Sequence, residues 1–388
     1  MIPDIDDRLE QLHTLLGRGR QYVGNALGAG PVHRRRLDAI DTRIAVSGVR
    51  GKSTTTRWLH DIFDSRGYDT FAKITGDHPM AVYNGREHDI TRDAQVRLYE
   101  NERVLAAFED IDVAIFENQG IREYTTRLVN EQFLKPDVVF ITNVREDHMD
   151  TLGSDRRQIA RSLARAVPSG TQVVSGEQDP ALQRYLTAEL KRRDAPVTHV
   201  EVPTSDRAAP GAECVYGLNT VLSMLGEGPV PSSTLSEYLA SLEPAWRVLP
   251  GGRVYDAASV NDVQSTDLVR QFLVGSTGAT VEPLLNLRAD RRGRTASFIR
   301  YLSGLYERGA IEQAHVTGDD TALFASQTQF PVHCHDTGER SAAEILDDAL
   351  DSGRPVIVMG NTVTDFMRQL GETIERRAGT EQARGDRQ

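Results

Sequence analysis

Cysteine is almost absent. The 388-residue chain has two, Cys214 and Cys334, far apart and in no metal-ligating spacing. That excludes a disulfide framework and a zinc module, and it fits two free thiols in a reducing compartment. Lysine is nearly as scarce: Lys52, Lys73, Lys135 and Lys191 stand against 41 arginines, a bias of base composition that leaves each lysine easy to weigh. No run of 18 apolar residues occurs, so no membrane-spanning helix is encoded. The N-terminus lacks the basic-then-apolar pattern of a signal peptide. Positive charge is in deficit, with a net charge of −11, which argues against nucleic-acid binding because phosphate backbones need a basic footprint. The remainder, 39% apolar and 26% charged, is the composition of a globular cytoplasmic protein of two or three domains.

Hydrophobic spacing gives the organisation. Ile5, Leu9, Leu12 and Leu16 predict an amphipathic helix over residues 4–27, ended by Gly28, Gly30 and Pro31. Its apolar stripe suits the protein body or a neighbouring subunit better than anionic lipid, which Asp4, Asp6, Asp7 and Glu10 would oppose. From residue 43 short apolar segments alternate with helical ones. "RIAVSGV" (43–49), "DVAIFEN" (112–118), "DVVFITNV" (137–144), "TQVVSGE" (171–177) and "PVTHVEV" (196–202) read as strands. Residues 52–67, "RDAQVRLYENERVLAAFED" (92–110) and "SDRRQIARSLARAV" (154–167) read as helices. Such alternation predicts an α/β fold, a parallel sheet with helices on both faces. A second α/β set starts near residue 250, with "GGRVYDAAS", "VEPLLNLRAD", "IEQAHVTG" and "RPVIVMG" as strand candidates. The predicted division is an N-terminal helix and linker (1–40), a first domain (41–247), a second domain (248–377) and a disordered tail (378–388).

The stretch "AVSGVRGKSTTTRWL" (45–59) places G-V-R-G-K-S-T between a strand and a helix. Glycines let backbone N–H groups approach phosphates, and a helix N-terminus adds positive potential. Lys52 would reach the outer phosphates, and the Ser53 hydroxyl would face Mg²⁺. A strand–helix turn with a capping serine has a similar look. The common loop G-x-x-x-x-G-K-[ST] also has glycine where this chain has Val46. Two further strands end in polar groups, at Glu117 and at Asn143, Glu146, Asp147, His148 and Asp150. Ligands of open parallel sheets bind at such carboxyl ends, where a carboxylate and an imidazole could hold a metal ion. "HCH" at 333–335 alternates as in a strand and, with no third ligand visible, reads as structural or surface rather than metal-binding.

Taken together, the loop, Glu117 and "TNVREDHMD" resemble the Mur ligase superfamily of ATP-dependent amide ligases, whose loop is shortened to G-x-x-G-K-[ST]. Val46 is thereby accounted for. The resemblance is closest to the ATP-dependent synthase branch of poly-γ-glutamate (capsule) biosynthesis. "GVRGKSTTTR", "AKITG", "TNVREDHMDTLG", "WRVLP", "VNDVQST", "NLRADRRGRT" and "VMGNTV" carry it, in order, over residues 44–363. It implies a P-loop parallel-sheet ATPase domain followed by a smaller Rossmann-like α/β domain, with ATP and Mg²⁺. Gly48, Arg50, Gly51, Lys52, Ser53 and Thr54 would hold the nucleotide phosphates. Lys52, Glu117 and His148 would be catalytic, with Ser53, Glu117 and His148 on the metal. Asn219 would reach the adenine, and Arg247 and Asp262 the phosphate and ribose ends of the nucleotide. Arg288, Asp290, Arg291 and Arg294 would meet the substrate.

The resemblance implies activation of a carboxylate as an acyl phosphate and its joining to an amino acid, glutamate or a γ-glutamyl chain. It also implies a membrane-bound synthase or export partner, with the enzyme peripheral at the inner face of the membrane. The N-terminal helix points to a homo-oligomer. Several features depart from the family pattern: position 163 is Leu where many Mur ligases have a carbamylated lysine, Gln264 replaces a lysine, an N-terminal hydrophobic anchor is missing, and residues 76–100 diverge. A Mur-type ligase for another amino acid or peptide, a P-loop ATPase working as motor or regulator, and an idle scaffold are the competing readings. The second-domain motifs favour a ligase over a simple ATPase.

Overall fold

A computed structural model describes residues 30–76, 78–92, 98–119, 122–146, 152–153, 155–260 and 262–385. The chain divides into two units: Met1–Val144, Thr151–Glu201 and Glu213–Pro231 form one, and Arg145–Asp150, Val202–Ala212 and Ser232–Gln388 the other. The helix expected at 4–27 lies outside the described residues.

The first unit runs α1 (Pro31–Asp38), β1 (Thr42–Ser47), α2 (Lys52–Ser65), β2 (Thr70–Ile74), β3 (Met80–Tyr83), β4 (Arg86–Asp89), α3 (Glu100–Leu105), β5 (Val113–Glu117) and α4 (Glu123–Leu128). It continues with β6 (Val138–Ile141), α5 (Arg156–Arg165), β7 (Gln172–Ser175), α6 (Pro180–Lys191), β8 (Val197–His199) and α7 (Ala212–Met224). The eight strands lie in the order β4-β3-β2-β5-β1-β6-β7-β8. All neighbours are parallel except β2–β3 and β3–β4. The central strands β5 and β6 are buried at every position, as parallel strands covered on both faces must be. One face packs Ala45, Phe71, Phe116, Val139 and Ile141 into a continuous core. Asp179 caps α6, accepting from Ala181 N at 2.8 Å, with Pro180 in the first turn, where no N–H is missed.

One local expectation changes. The helix expected over 92–110 is shorter: its helical part among the described residues is α3. Within the divergent stretch 76–100, β3 and β4 form a hairpin turned by Asn84 and Gly85, both at positive φ. Asn-Gly suits that turn because both of its central residues need left-handed backbone.

The second unit runs α8 (Ser232–Leu242), β9 (Arg247–Leu249), β10 (Gly252–Asp256), α9 (Val263–Val274), β11 (Glu282–Leu287), α10 (Arg292–Glu307), β12 (Ala314–Gly318), α11 (Thr321–Ser326), β13 (Val332–Cys334), α12 (Ala342–Leu350), β14 (Val356–Met359) and α13 (Asp365–Gly385). Its sheet has the order β13-β12-β11-β14-β10-β9, parallel except for β9. Leu285 and Leu287 join the core on one face of β11, and Leu284 the core on the other. Ser341 and Glu344 close a reciprocal capping box at the start of α12. The last helix continues to Gly385, so residues 378–385 are helical where the sequence suggested a disordered tail. No helix among the described residues is long and apolar enough to cross a membrane.

Candidate nucleotide and ligase site

The first unit's site is built at the carboxyl ends of β1, β5 and β6. Pairing aligns Val46 with Glu117 and Ser47 with Ile141, so the three strands end together. Gly48 follows β1 at φ +107°, and a side chain there would bring Cβ to 2.3 Å from Thr142 Oγ1. Gly51, the N-cap of α2, stands at φ +80°, and its Cβ would come to 2.6 Å from Cys214 Sγ. Both positions therefore require glycine, for conformation and for space. The first-turn N–H groups of any α-helix lack carbonyl partners within it, and the loop delivers the chain to that turn of α2 at Lys52. Lys52 Nζ folds back to donate to Val49 O at 3.0 Å.

Asn143 holds this loop in shape. Its Oδ1 accepts from Arg50 N at 2.9 Å, and its Nδ2 donates to Arg50 O at 3.2 Å and to Glu213 Oε1 at 2.9 Å. The main-chain carbonyl of Asn143 accepts from Val49 N at 3.2 Å. The sequence grouped Asn143 with the metal-side candidates, whereas its side chain is engaged with the loop backbone. Glu177 supports the same strand end, accepting from Val144 N at 3.0 Å and from Arg156 Nη2 at 2.9 Å.

Ser53 and Glu117 come together. Ser53 Oγ is 3.1 Å from each carboxylate oxygen of Glu117, and Thr75 N donates to Glu117 Oε2 at 2.7 Å. Glu117 is 6% exposed. A hydroxyl and a carboxylate in contact at a phosphate-type loop are hard oxygen donors of the kind Mg²⁺ takes. Asn118, the next residue, is 1% exposed, and neither polar atom of its amide has a hydrogen-bond partner among the described residues. Buried amides are seldom left so, and here the orphan sits at the edge where a ligand would enter. With the glycine cradle, these groups fit a nucleotide phosphate with its metal ion. His148, the third proposed ligand, and its neighbours Asp147 and Asp150 lie outside the described residues. Asn219, on α7, uses Oδ1 to accept from Val230 N at 2.7 Å, fixing the turn after that helix.

The remaining predicted residues are in the second unit. Asp262 caps α9, accepting from Ser265 N at 2.9 Å and from Ser265 Oγ at 2.5 Å. Arg145 Nη1 donates to Ser265 Oγ at 2.7 Å, and Glu146 N donates to the Gln264 side chain at 3.1 Å. Gln264 therefore receives the backbone leading into the D-H-M-D block. Arg247 pairs with Glu375. Arg288 holds Asp290 in a two-point contact of 2.9 and 2.7 Å, and Arg291 Nε lies 3.9 Å from the same carboxylate.

A small pocket opens here, lined by Asn286, Arg288, Arg291, Arg294, Gly360 and Asn361 among others. It lies at the carboxyl ends of β11 and β14, adjacent strands where the chain direction across the sheet reverses, a usual place for ligands of such folds. Asn286 and Asn361, absent from the sequence-based set, form its polar floor: Asn361 Nδ2 donates to Asn286 Oδ1 at 2.8 Å, and Asn286 Nδ2 to Thr317 Oγ1 at 2.9 Å. Both lie in quoted motifs, "NLRAD" and "GNTV", so their signal was a polar residue ending an apolar strand.

Fold and loop together define a P-loop α/β protein with a second α/β unit. Comparison with known proteins narrows this. Residues 46–208 match the Mur ligase middle domain, and residues 250–377 match the poly-gamma-glutamate synthase CapB C-terminal domain. PGA synthase CapB of Bacillus subtilis (strain 168) is 23% identical over 344 residues, 81% of this chain and 85% of that protein. Capsule biosynthesis protein CapB of Bacillus anthracis is 28% identical over 152 residues, 38% of this chain and 33% of that protein. Among solved structures, E. coli FolC in complex with DHPP and ADP has a TM-score of 0.61 at 17% identity, covering 89% of this chain and 92% of the other. MurF from Acinetobacter baumannii has a TM-score of 0.61 at 13% identity, covering 88% and 79%. The chain thus carries a Mur ligase middle domain at residues 46–208 and a CapB-type C-terminal domain at residues 250–377.

Proposed function

We propose that this protein is an ATP-dependent, ADP-forming amide ligase that activates a carboxylate as an acyl phosphate and joins it to glutamate, extending a γ-glutamyl chain. The observation that carries this is the contact of Ser53 with Glu117 beside a glycine-cradled loop. The CapB-type relatives and C-terminal domain support poly-γ-glutamate as the product.

A carboxylate does not acylate an amine at neutral pH, because oxide is a poor leaving group. Phosphorylation by ATP supplies a better one, leaving the protein to position groups and neutralise charge. Loop amides and Lys52 would bind the β- and γ-phosphates, Lys52 releasing Val49 O to do so. Mg²⁺, when held by Ser53, Glu117 and His148, supplies the counter-charge for phosphoryl transfer. In the second unit Arg291 and Arg294 would hold the amino acid's carboxylate by paired N–H donors, and Arg288 with Asp290 would shape the pocket rim. Asn219, Arg247 and Asp262 remain nucleotide-side candidates. A membrane-bound synthesis or export partner and a homo-oligomer are part of the same reading.

The test is ATP-dependent phosphate release screened against all amino acids, with mass spectrometry of the products. Stimulation by glutamate and masses rising by glutamyl residues are expected. Stimulation by a different amino acid would move the assignment to another Mur-type ligase, and release that needs no amino acid would return it to a plain ATPase. Lys52→Ala should abolish turnover by orders of magnitude while the fold is kept.

A further inference from the structure

We propose that Lys73, Arg92 and Glu100 form a positioning unit for Glu117, acting through the peptide of Thr75, so that the divergent segment around residue 92 sets the metal side of the phosphate-loop site. The inference rests on the functional reading above and names residues that reading does not use.

The geometry is a continuous path. Lys73, near the end of β2, is fully buried; its Nζ lies 2.8 Å from Glu100 Oε1 and donates to Asn101 Oδ1 at 2.9 Å. Arg92 grips Glu100 with both arms of its guanidinium, Nε to Oε2 and Nη2 to Oε1, each at 2.8 Å. Arg92 Nη1 also donates to Thr75 O at 3.4 Å. From the other side of that residue, Thr75 N donates to Glu117 Oε2 at 2.7 Å, and Glu117 meets Ser53. The backbone of Thr75 is thus held at its carbonyl by the charged group and in turn holds the carboxylate.

Fold stability alone does not account for this group. A buried ion triad recovers little more than its desolvation cost, and apolar residues of similar volume do as well or better. Here Lys73 and Glu100 are both buried beside the sheet, and the third nitrogen of Arg92 is aimed at the carbonyl of a residue whose N–H holds Glu117. Burial raises the Glu100 carboxyl, but the Arg92 and Lys73 contacts outweigh it and hold it down at about 2, so Glu100 keeps its charge throughout the working range, while burial lowers the Lys73 ammonium against the pull of Glu100. Partners one step behind a metal ligand orient it, and their loss weakens metal affinity by ~10- to 100-fold. Arg92→Lys would keep the charge and lose the two-point grip.

The experiment is Mn²⁺ binding to the full chain in the presence of ADP, read by the electron paramagnetic signal of free Mn²⁺, alongside metal-free ADP binding and thermal unfolding. Arg92→Lys and Glu100→Gln should each weaken Mn²⁺ binding by ~10-fold or more, with metal-free ADP affinity nearly unchanged. Combined with Glu117→Gln, Arg92→Lys should add little, because it acts through that carboxylate. If Glu100→Gln does not fold, the milder Arg92→Lys carries the test. Unchanged Mn²⁺ affinity in folded Arg92→Lys, or an effect fully additive with Glu117→Gln, would overturn the inference and leave the functional reading standing. A wild-type chain that binds no Mn²⁺ with ADP would overturn both.

Discussion

Ser53 Oγ lies 3.1 Å from both carboxylate oxygens of Glu117, although 64 residues separate the two in the chain. The first residue lies in the first turn of α2 and the second closes β5, so the contact exists only because β1 and β5 are paired in register at Val46 and Glu117. A serine at a loop–helix junction is ordinary, and so is a carboxylate at a strand end. Their contact beside a loop whose Gly48 and Gly51 leave no room for a Cβ is what turns two common features into a site for a phosphate-bound cation.

Gly48→Ala should damage nucleotide binding. The added Cβ would stand 2.3 Å from Thr142 Oγ1 and 2.8 Å from Thr142 N, at a φ that alanine resists. The loop must move, at a cost of ~1–3 kcal/mol in strain. Calorimetric ADP binding should weaken by ~10-fold or more, each tenfold being about 1.4 kcal/mol. Unaltered ADP affinity would mean that the loop does not cradle phosphate.

Arg294→Ala should raise the KM for the amino acid while kcat with saturating amino acid changes less. A hydrogen bond to a charged group is worth ~1.5–3 kcal/mol, so a rise of ~10- to 100-fold is expected. Steady-state kinetics with varied glutamate checks it. A kcat loss at constant KM would place Arg294 on the reacting atoms instead.

Acid should destabilise the second unit through its histidine stack. The ring of His335 lies parallel to that of His315 at 5.1 Å between centres, and His333 stacks on His315 at 4.9 Å. His335 Nε2 and His315 Nδ1 share a hydrogen bond of 2.8 Å, and Arg340 and Asp348 flank His335. Burial, then the neighbouring His315, lower the His335 imidazole from 6.5 to about 4. The unfolded chain therefore binds a proton that the fold refuses between pH 6.5 and about 4. Stability should be level above that window and fall by up to ~3 kcal/mol across it, each pH unit within the window costing about 1.4 kcal/mol. Denaturant unfolding at several pH values reads this, and His335→Gln should flatten the slope.

Much of this site was legible in the sequence, for physical reasons that differ by residue. An apolar run ending in Glu117, and a glycine-spaced loop before a helix, are local patterns, and the fold keeps them. The role of Asn143 was not legible, because an amide that clasps the loop backbone at Arg50 is defined by two strand ends meeting. Lys73 and Glu100 break the rule that charges stay outside, and the sequence shows no partner for a charge buried inside a strand. The hairpin at Asn84–Gly85 did carry a signal, an Asn-Gly pair directly after a short apolar run, hidden within a stretch that otherwise matched nothing.

The acyl phosphate is the centre of the account, and oxygen tracing tests it directly. If the acceptor chain or glutamate carries ¹⁸O in the carboxylate that is activated, that oxygen attacks the γ-phosphorus and departs with phosphate when the amine displaces it. The account predicts inorganic phosphate containing one ¹⁸O for each amide bond formed, by mass spectrometry. Unlabelled phosphate, released at the same rate with or without the amine, would contradict it, because water rather than a carboxylate would then be the acceptor.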